Sequence, residues 1–227
     1  VLGHALYMKA INGGKAKNDK IDARKIAFLL RGGNFPIAYT YPPKMRKVRD
    51  LLRRRGTMVA HKSTYMAHIK ITNYQYNLPP FNTGRLDSKC RIPEIIEHFP
   101  DPVVQENIKT DLTIIRYYVN EVKRLEATIL ALAKRNNSTS LHILQSLPGA
   151  GKILPLTLLY EMHDIRRFPS VQDFCSYGRL VKCTKESDGK IYGTQGSKIG
   201  NHYIKWAFSE MVMHAIPAFP QIKKYVE

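Results

Sequence analysis

Two carboxylates stand three residues apart in the segment KNDKIDARKIA (Lys17–Ala27), at Asp19 and Asp22. If this segment is helical, side chains three positions apart share one face, so both carboxylates can bind one divalent cation. Such a cation would serve phosphoryl transfer, although a two-metal site normally draws further carboxylates from other strands. Acidic residues near a helix start are also common on protein surfaces. The spacing alone therefore leaves a metal site and a solvated surface both open.

A serine lies in a glycine-rich segment, 193–200, that precedes a helix predicted to begin at about Asn201. Ser197 stands beside Lys198, just before that helix. Its hydroxyl could cap the helix. It could instead attack a phosphodiester, with backbone N–H groups and Lys198 stabilising the developing charge. No Ser-His-Asp arrangement and no GxSxG motif supports a hydrolase.

A Pro-Gly-x-Gly turn at Pro148–Gly151 is followed by Lys152 and an apolar segment that is predicted to be helical. This pattern is typical of helix-hairpin-helix elements. Their glycines let backbone N–H groups reach a phosphate, and the next helix presents its positive end to it. Contacts of this kind fix the position of a protein on a duplex without reading its sequence. The alternative is a tight turn that only connects two helices.

The charge of the chain indicates polyanionic partners. Its 227 residues include 36 Lys and Arg against 18 Asp and Glu, a net charge of +18 at pH 7. An excess of this size favours nucleic acid or an acidic membrane surface as a partner. Seven residues of Lys44–Arg55 are basic and only Asp50 opposes them, so this helix either presents a solvated face or binds nucleic acid. The seven are Lys44, Arg46, Lys47, Arg49, Arg53, Arg54 and Arg55.

Several classes of protein are excluded by the same sequence. No run approaches 18 apolar residues, so no membrane span is expected, and no charged leader precedes an apolar stretch. The three cysteines (Cys90, Cys175 and Cys183) are odd in number and lack CxxC spacing, which excludes a disulfide scaffold and a four-cysteine zinc site. We expect a cytoplasmic, nucleoid-associated protein with reduced thiols and no contact with a membrane.

Three segments differ in character: 1–42, 43–136 and 137–227. The first contains a predicted helix from Asp19 to Leu30 that Gly32 and Gly33 terminate. The second is predicted to be mostly helical, with a loop rich in Pro, Asn and Gly between two long helices. The polar stretch 136–140 is the clearest linker, and the third segment carries the serine and the Pro-Gly-x-Gly turn.

The second long helix, predicted from about Pro102 to Lys134, carries an apolar seam of the heptad type. Its polar member is Asp111. Such a seam either packs inside the chain, against the first long helix, or joins two copies as a coiled coil, and the sequence favours neither. The seam consists of Ile108, Ile115, Val122 and Ile129 at one position, with Tyr118, Leu125 and Leu132 at the other.

The motifs together resemble one family: the DEDD-type insertion-sequence transposases related to the Piv pilin-gene invertase, also described as bridge-RNA-guided serine recombinases. The segment Lys17–Ala27 matches the family pattern K-T-D-x-x-D-A, with Asn18 at the Thr position. Leu144–Val181 resembles the opening of the family's carboxyl-terminal transposase domain. Gly196–Phe208 resembles S-K-x-G-N-x-x-L-R-x-x-L, with Lys205 where Arg is usual. The resemblance covers nearly the whole chain.

The resemblance implies a mainly α fold. A partial α/β RNase H-like (RuvC-like) segment would come first (1–42), then a basic helix and coiled coil (43–136), then a mainly helical serine domain (137–227). It implies an enzyme that cleaves and rejoins DNA for insertion-sequence transposition. Ser197 would be the nucleophile, and Asp19 and Asp22 would be two of the four acids of a Mg²⁺ site. DNA, a guide RNA and further copies of the chain, as a dimer or tetramer, are the implied partners.

The predicted nucleic-acid contacts add six residues to the basic helix: Gly149, Gly151, Lys152, Lys198, Asn201 and Lys205. One departure from the family pattern bears on catalysis. The other two acids of the tetrad lie upstream in the family, whereas residues 1–18 contain no Asp or Glu. Family members also usually carry further helical sequence at the carboxyl end, so we expect sequence to be missing at both ends. A nucleic-acid-binding remnant without chemistry is the alternative function.

Overall fold

The computed structural model describes residues 1–4, 7–8, 18–82, 88, 91–181, 183–195 and 200–226. Over these residues the chain is mainly helical, as predicted, with one small antiparallel sheet. The helices are α1 (Asp19–Arg31), α2 (Pro43–Gln75), α3 (Ile92–Glu97), α4 (Pro102–Asn136), α5 (Ser138–Gln145), α6 (Ile153–Met162), α7 (Val171–Tyr177), α8 (His202–Ala215) and α9 (Pro220–Val226). The strands are β1 (Cys183–Ser187) and β2 (Lys190–Gln195).

Local capping sets the ends of the predicted helices. The Asn18 side chain accepts hydrogen bonds from the Lys20 and Ile21 amides at 2.8 and 3.1 Å, which starts α1. Gly32 caps its other end. The Asp101 carboxylate does the same for α4, accepting from the amides of Val103 and Val104 at 2.7 and 3.1 Å. The helices that the sequence predicted here are confirmed.

The chain divides into two compact units, and each is discontinuous in sequence. Unit 1 contains Val1–Pro43 and Asp164–His202, and unit 2 contains Lys44–His163 and Tyr203–Glu227. These units group residues differently from the three segments of the sequence, because Tyr41 of the first segment bonds to Tyr177 of the third. The described part of residues 1–42 contains α1 and a bridge between Gly3 and Ile37. The RNase H-like fold of this part stays a prediction.

In unit 2 the apolar seam of α4 packs against α2 within the chain. Two polar pairs between the helices show their relative direction. The Arg55 guanidinium bonds to Glu126 at 2.8 Å, and further along α2, but nearer the start of α4, His68 Nδ1 lies 2.5 Å from the Asp111 carboxylate. The hairpin is therefore antiparallel, and the polar seam position is occupied by a paired carboxylate. Association of two copies through a coiled coil stays a prediction.

Two apolar clusters fill unit 2. One joins the beginning of α2 and the end of α4 to α5 and α6; the other joins the end of α2 to α3 and the beginning of α4. α6 lies at the centre of the first cluster, since its residues from Leu154 to Glu161 are all buried. A helix that is apolar around its whole circumference must be covered on all sides. The first cluster contains Val48, Leu52, Leu125, Ile129, Ala133, Leu141, Leu156, Leu159 and Tyr160.

The predicted linker at 136–140 is wrong. α4 continues through Asn136 and α5 begins at Ser138, so a single residue, Asn137, separates them. The Asn137 amide still donates to the carbonyl of Ala133 at 2.8 Å, and Leu141 is buried in the first cluster. Burial of Leu141 holds this polar stretch in helical geometry, because the apolar contact outweighs the weak helix propensity of Asn and Ser.

In unit 1 a two-residue turn joins β1 to β2. Asp188 and Gly189 have φ angles of 53° and 69°, as a type I′ hairpin turn requires. Ser187 pairs with Lys190, and Cys183 pairs with Gln195 at the open end. The sequence contains the Asp-Gly signal for this turn, but the hairpin itself was not predicted. Its second strand leads directly into the glycine-rich segment with the serine.

Candidate functional site

Ser197 and Lys198 lie outside the described residues, so their predicted roles stay predictions. The segment that holds them is fixed at its carboxyl end, in unit 1. The Asn201 amide donates to the carbonyl of Tyr177 at 2.6 Å, and Asn201 is buried. Gly200 has φ 110°, and a Cβ there would lie 2.6 Å from the same carbonyl oxygen. Only glycine therefore allows this close approach to the end of α7.

Tyr177 is itself held by an aromatic cluster around Arg167. The hydroxyls of Tyr177 and Tyr41 are 2.9 Å apart. The Arg167 guanidinium lies 4.5 Å from the centre of the Tyr177 ring and 4.0 Å from that of Tyr39. Cation–π contacts at this range are worth about 0.5–2 kcal/mol each. The cluster thus connects residues 39–41, the turn before α7 and the end of the serine segment.

The electrostatics of the cluster act on Tyr177. Burial raises the pKa of the Tyr177 hydroxyl. Hydrogen bonds with Tyr41 and Asn201 and the charge of Arg167 lower the pKa by more than burial raises it, so it lies below the usual value. Nothing in the sequence indicated this cluster. Arg167, Phe168 and Tyr177 belong to the stretch that carries the family resemblance, but their types and spacing predicted no contact with Tyr39 and Tyr41.

The two predicted metal ligands stand in the first turn of α1. Asp19 is exposed, whereas Asp22 is partly buried. One carboxylate oxygen of Asp22, Oδ1, is buried without a hydrogen-bond partner in the described structure. An oxygen in this state suits a hard cation such as Mg²⁺. Among the described residues no group of three or more His, Cys, Asp or Glu could hold a metal ion. Asp22 therefore has an oxygen that could bind a cation, and the described residues do not complete a site around it.

The Pro-Gly-x-Gly turn packs against α8 in unit 2. Gly149 has φ 74°, and a Cβ on it would lie 2.0 Å from the carbonyl oxygen of Met211. Gly151 has nothing within 4 Å of its Cβ position, and Lys152 is exposed. The two glycines therefore differ: Gly149 serves the tight turn, and Gly151 leaves the backbone open to a ligand.

The turn forms one wall of an open cleft of about 560 Å³ in unit 2. α8 also lines the cleft, with Trp206, Glu210 and His214 at spacings of four on one helix face. Arg55 and Lys152 add positive charge to the lining. The sequence placed Trp206 beside the serine motif but did not predict a cleft.

The basic residues at the start of α2 have different surroundings. Arg53 donates two hydrogen bonds to the buried carboxylate of Glu161, at 2.7 and 2.8 Å, and its guanidinium lies 4.5 Å from the centre of the Tyr203 ring. Arg55 bonds to Glu126, and Arg49 is partly buried. Lys205 on α8 is exposed. The other four basic residues at the start of α2 are also exposed: Lys44, Arg46, Lys47 and Arg54. These five offer the open cationic surface.

The described helices include none that is long and apolar enough to cross a membrane.

Comparison with known proteins gives two matches. Residues 141–227 match the family model described as Transposase IS116/IS110/IS902 family. Over 208 residues the chain is 27% identical to the "Insertion element IS110 uncharacterized 43.6 kDa protein" of Streptomyces coelicolor. This alignment covers 92% of the chain and 46% of the relative, so the chain spans about half the length of the curated relative it matches. The family match begins at Leu141 and includes the turn, the cleft wall on α8 and the serine segment.

Proposed function

We propose that the chain forms part of an insertion-sequence transposase that cleaves and rejoins DNA. The observation that carries the proposal is the match of residues 141–227 to the IS116/IS110/IS902 transposase family model. Two features support it. The matched region contains Ser197 in a segment whose end is fixed to α7, and the chain is strongly cationic. The hydrogen bond of Asn201 to Tyr177 gives a fixed point four residues after Ser197, and rate depends on the placement of a nucleophile relative to the phosphorus atom.

In the proposed step the Ser197 hydroxyl oxygen attacks a phosphorus atom of the DNA backbone. A bond forms between the serine oxygen and phosphorus, and the bond from phosphorus to one sugar oxygen breaks. In net terms the hydroxyl proton ends on the leaving sugar oxygen. The number of phosphate ester bonds is unchanged, so the reverse step on a second strand can rejoin DNA without an energy source. Lys198 would stabilise the added negative charge.

Asp19 and Asp22 would hold a Mg²⁺ ion, and the orphaned oxygen of Asp22 supports this role. When bound, such an ion neutralises charge on a phosphate that reacts. The remaining ligands of a DEDD site would come from an RNase H-like part of the protein. A guide RNA and a homo-oligomer, joined through a coiled coil, complete the proposal and rest on the resemblance stated above.

The test is a search for the covalent intermediate. Protein expressed from its natural reading frame, with the RNA that purifies with it, is incubated with labelled DNA spanning an end of the element and Mg²⁺, then denatured. We expect a protein–DNA adduct whose phosphoserine maps to Ser197 by mass spectrometry. Ser197→Ala should abolish the adduct, and Ser176→Ala, at an exposed serine of α7, should leave it unchanged. An adduct that persists in Ser197→Ala excludes this serine as the nucleophile.

A second function, nucleic-acid binding without chemistry, is favoured by one observation: the exposed cations of α2 and α8 need no catalytic group in order to bind phosphate. It predicts affinity that falls steeply with salt and no adduct under any condition. The same experiment separates the two functions, because a Ser197-linked adduct forms only if the chain is catalytic.

A further inference from the structure

We propose that the cleft between the Pro-Gly-x-Gly turn and α8 binds one unpaired nucleotide of the bound nucleic acid, with its base stacked on Trp206. The volume of about 560 Å³ falls in the range of roughly 300–1,000 Å³ typical of sites for small ligands. All lining residues belong to unit 2, so the cleft exists within one compact unit.

Trp206 makes the cleft suitable for a base. Its side chain is 41% exposed, although tryptophan is the largest apolar side chain and the same helix buries Ile204 and Ala207 completely. An exposed indole that lines a cleft can stack on a nucleobase, because every base has a π face. A base inside a duplex is covered by its neighbours, so the base that stacks must be unpaired or flipped out.

The Pro-Gly-x-Gly turn and Lys152 make the cleft suitable for the phosphate of the same nucleotide. Lys152 is exposed and contributes a cation to the rim. Gly151 has open space at its Cβ position, so the backbone of a strand can approach the turn closely there. Arg55, although bonded to Glu126, adds to the positive potential of the lining. The lining of the cleft therefore offers groups for both a base and a phosphate.

Glu210 gives the cleft a base preference. It lies one helical turn beyond Trp206 on the same face of α8 and is partly buried. A carboxylate only accepts hydrogen bonds. Guanine presents two adjacent donors, N1–H and N2–H, on its Watson–Crick edge, whereas thymine presents a single donor between two acceptors. We therefore expect the cleft to prefer guanine.

The inference rests on the proposed nucleic-acid binding, and the sequence supplies a probe that tests it separately. Trp206 is the only tryptophan of the chain, so all tryptophan emission comes from the cleft. The 227-residue chain is titrated with labelled oligo-dT strands of about 12 nucleotides, the size of a single-strand site, each with one central dG or dT. Anisotropy of the label reports binding, and tryptophan emission reports stacking.

We expect the dG strand to quench tryptophan emission and to bind about 10-fold more tightly than the dT strand. Trp206→Ala should weaken binding of the dG strand about 10-fold, and Trp206→Phe should restore most of it. Val212→Ala is the matched control, because Val212 is 42% exposed on the same helix and lies outside the cleft. Glu210→Gln should reduce the preference for the dG strand over the dT strand.

The outcomes separate this inference from the proposed function. Absence of any salt-sensitive binding would overturn both. Binding without quenching, or binding unaffected by Trp206→Ala, would overturn the inference alone. Quenching by a blunt duplex as strong as by single strands would also overturn it, since no base is then available. Replacing the DNA strand with RNA of the same sequence shows whether the nucleotide comes from DNA or from RNA, because the 2′-hydroxyl distinguishes them.

Discussion

At the scale of single residues, the two glycines of the Pro-Gly-x-Gly turn predict opposite responses. Gly149→Ala introduces a Cβ 2.0 Å from the Met211 carbonyl oxygen at a φ of 74°. We expect it to lower the free energy of unfolding by about 3 kcal/mol, from backbone strain and overpacking. Gly151→Ala meets no atom within 4 Å and should change stability by less than about 0.5 kcal/mol. Urea denaturation measures both, and equal losses would contradict the packing role of Gly149.

Arg53 and Arg54 are neighbours with different functions. Arg53 bonds through two nitrogens to Glu161, whose side chain is 2% exposed. Removing one partner of a fully buried ion pair costs about 3–5 kcal/mol, but the Arg53 side chain is 37% exposed, so solvent reduces the loss. We expect Arg53→Met to destabilise the chain by about 2 kcal/mol in urea denaturation. Arg54→Met, at an exposed position, should weaken nucleic-acid binding and leave stability unchanged. A stable Arg53→Met protein would show that the pair contributes little.

Tyr177 predicts a pH effect. Its pKa in the folded protein lies below the usual 10.0, so folding favours the phenolate. This contribution to stability is complete above pH 10 and is lost as the pH falls through the folded pKa. We expect ultraviolet titration to show one tyrosine ionising earlier than the others, and Tyr177→Phe to remove it. In Arg167→Gln this tyrosine should titrate at higher pH. No difference between the parent chain and Tyr177→Phe would contradict the cluster geometry.

At the scale of elements, the α4 seam predicts the effect of core truncation. Ile115 is completely buried in the cluster that joins α4 to α2 and α3. Because the seam packs inside the chain, Ile115→Ala should cost about 3 kcal/mol of stability. It should leave the association state in analytical ultracentrifugation unchanged. Val103→Ala on the same helix, at a residue that is 80% exposed, is the control. Loss of a dimer in Ile115→Ala would instead favour the intermolecular coiled coil.

The elements that the sequence predicted correctly are those that local physics determines. Asn18, Gly32 and Asp101 act on amides and carbonyls within a few residues, so the ends of α1 and the start of α4 were accessible to sequence analysis. The hairpin of β1 and β2 had a local signal as well, at Asp188 and Gly189. The prediction of a linker at 136–140 was wrong because the composition of this stretch does not show that Leu141, just beyond it, is buried.

The contacts around the candidate site were not predictable, because they join residues far apart in sequence. Arg53 and Glu161 are separated by 108 positions, and Tyr41 and Tyr177 by 136. Nothing in the run of basic residues on α2 distinguished Arg53, which has a buried partner, from Arg54, which is exposed. A charge run read from sequence therefore overstates the open cationic surface.

At the scale of the whole molecule, the net charge of +18 predicts salt-sensitive binding. Removing one cation that pairs with a DNA phosphate should reduce the slope of log affinity against log salt by about 0.9 for a duplex. We expect replacement of Lys44, Arg46, Lys47 and Arg54 by Gln to reduce the slope by about 3.6. Gln at four exposed cations of α4 (Arg116, Lys123, Lys134 and Arg135) removes the same charge as a control. Equal effects of the two sets would show that net charge, and not the α2 surface, drives binding.

The interleaving of the two units has a consequence for synthesis. Helices α2 to α6 come from one continuous stretch, so their part of unit 2 can fold as soon as it leaves the ribosome. Residues 1–43 must wait, because Tyr41 bonds to Tyr177, which is made 136 residues later. At a translation rate of about 5–20 residues per second this delay is on the order of ten seconds. During that time the part of unit 1 that includes Asp19 and Asp22 lacks the other half of its unit, and it is then most open to chaperones and proteases.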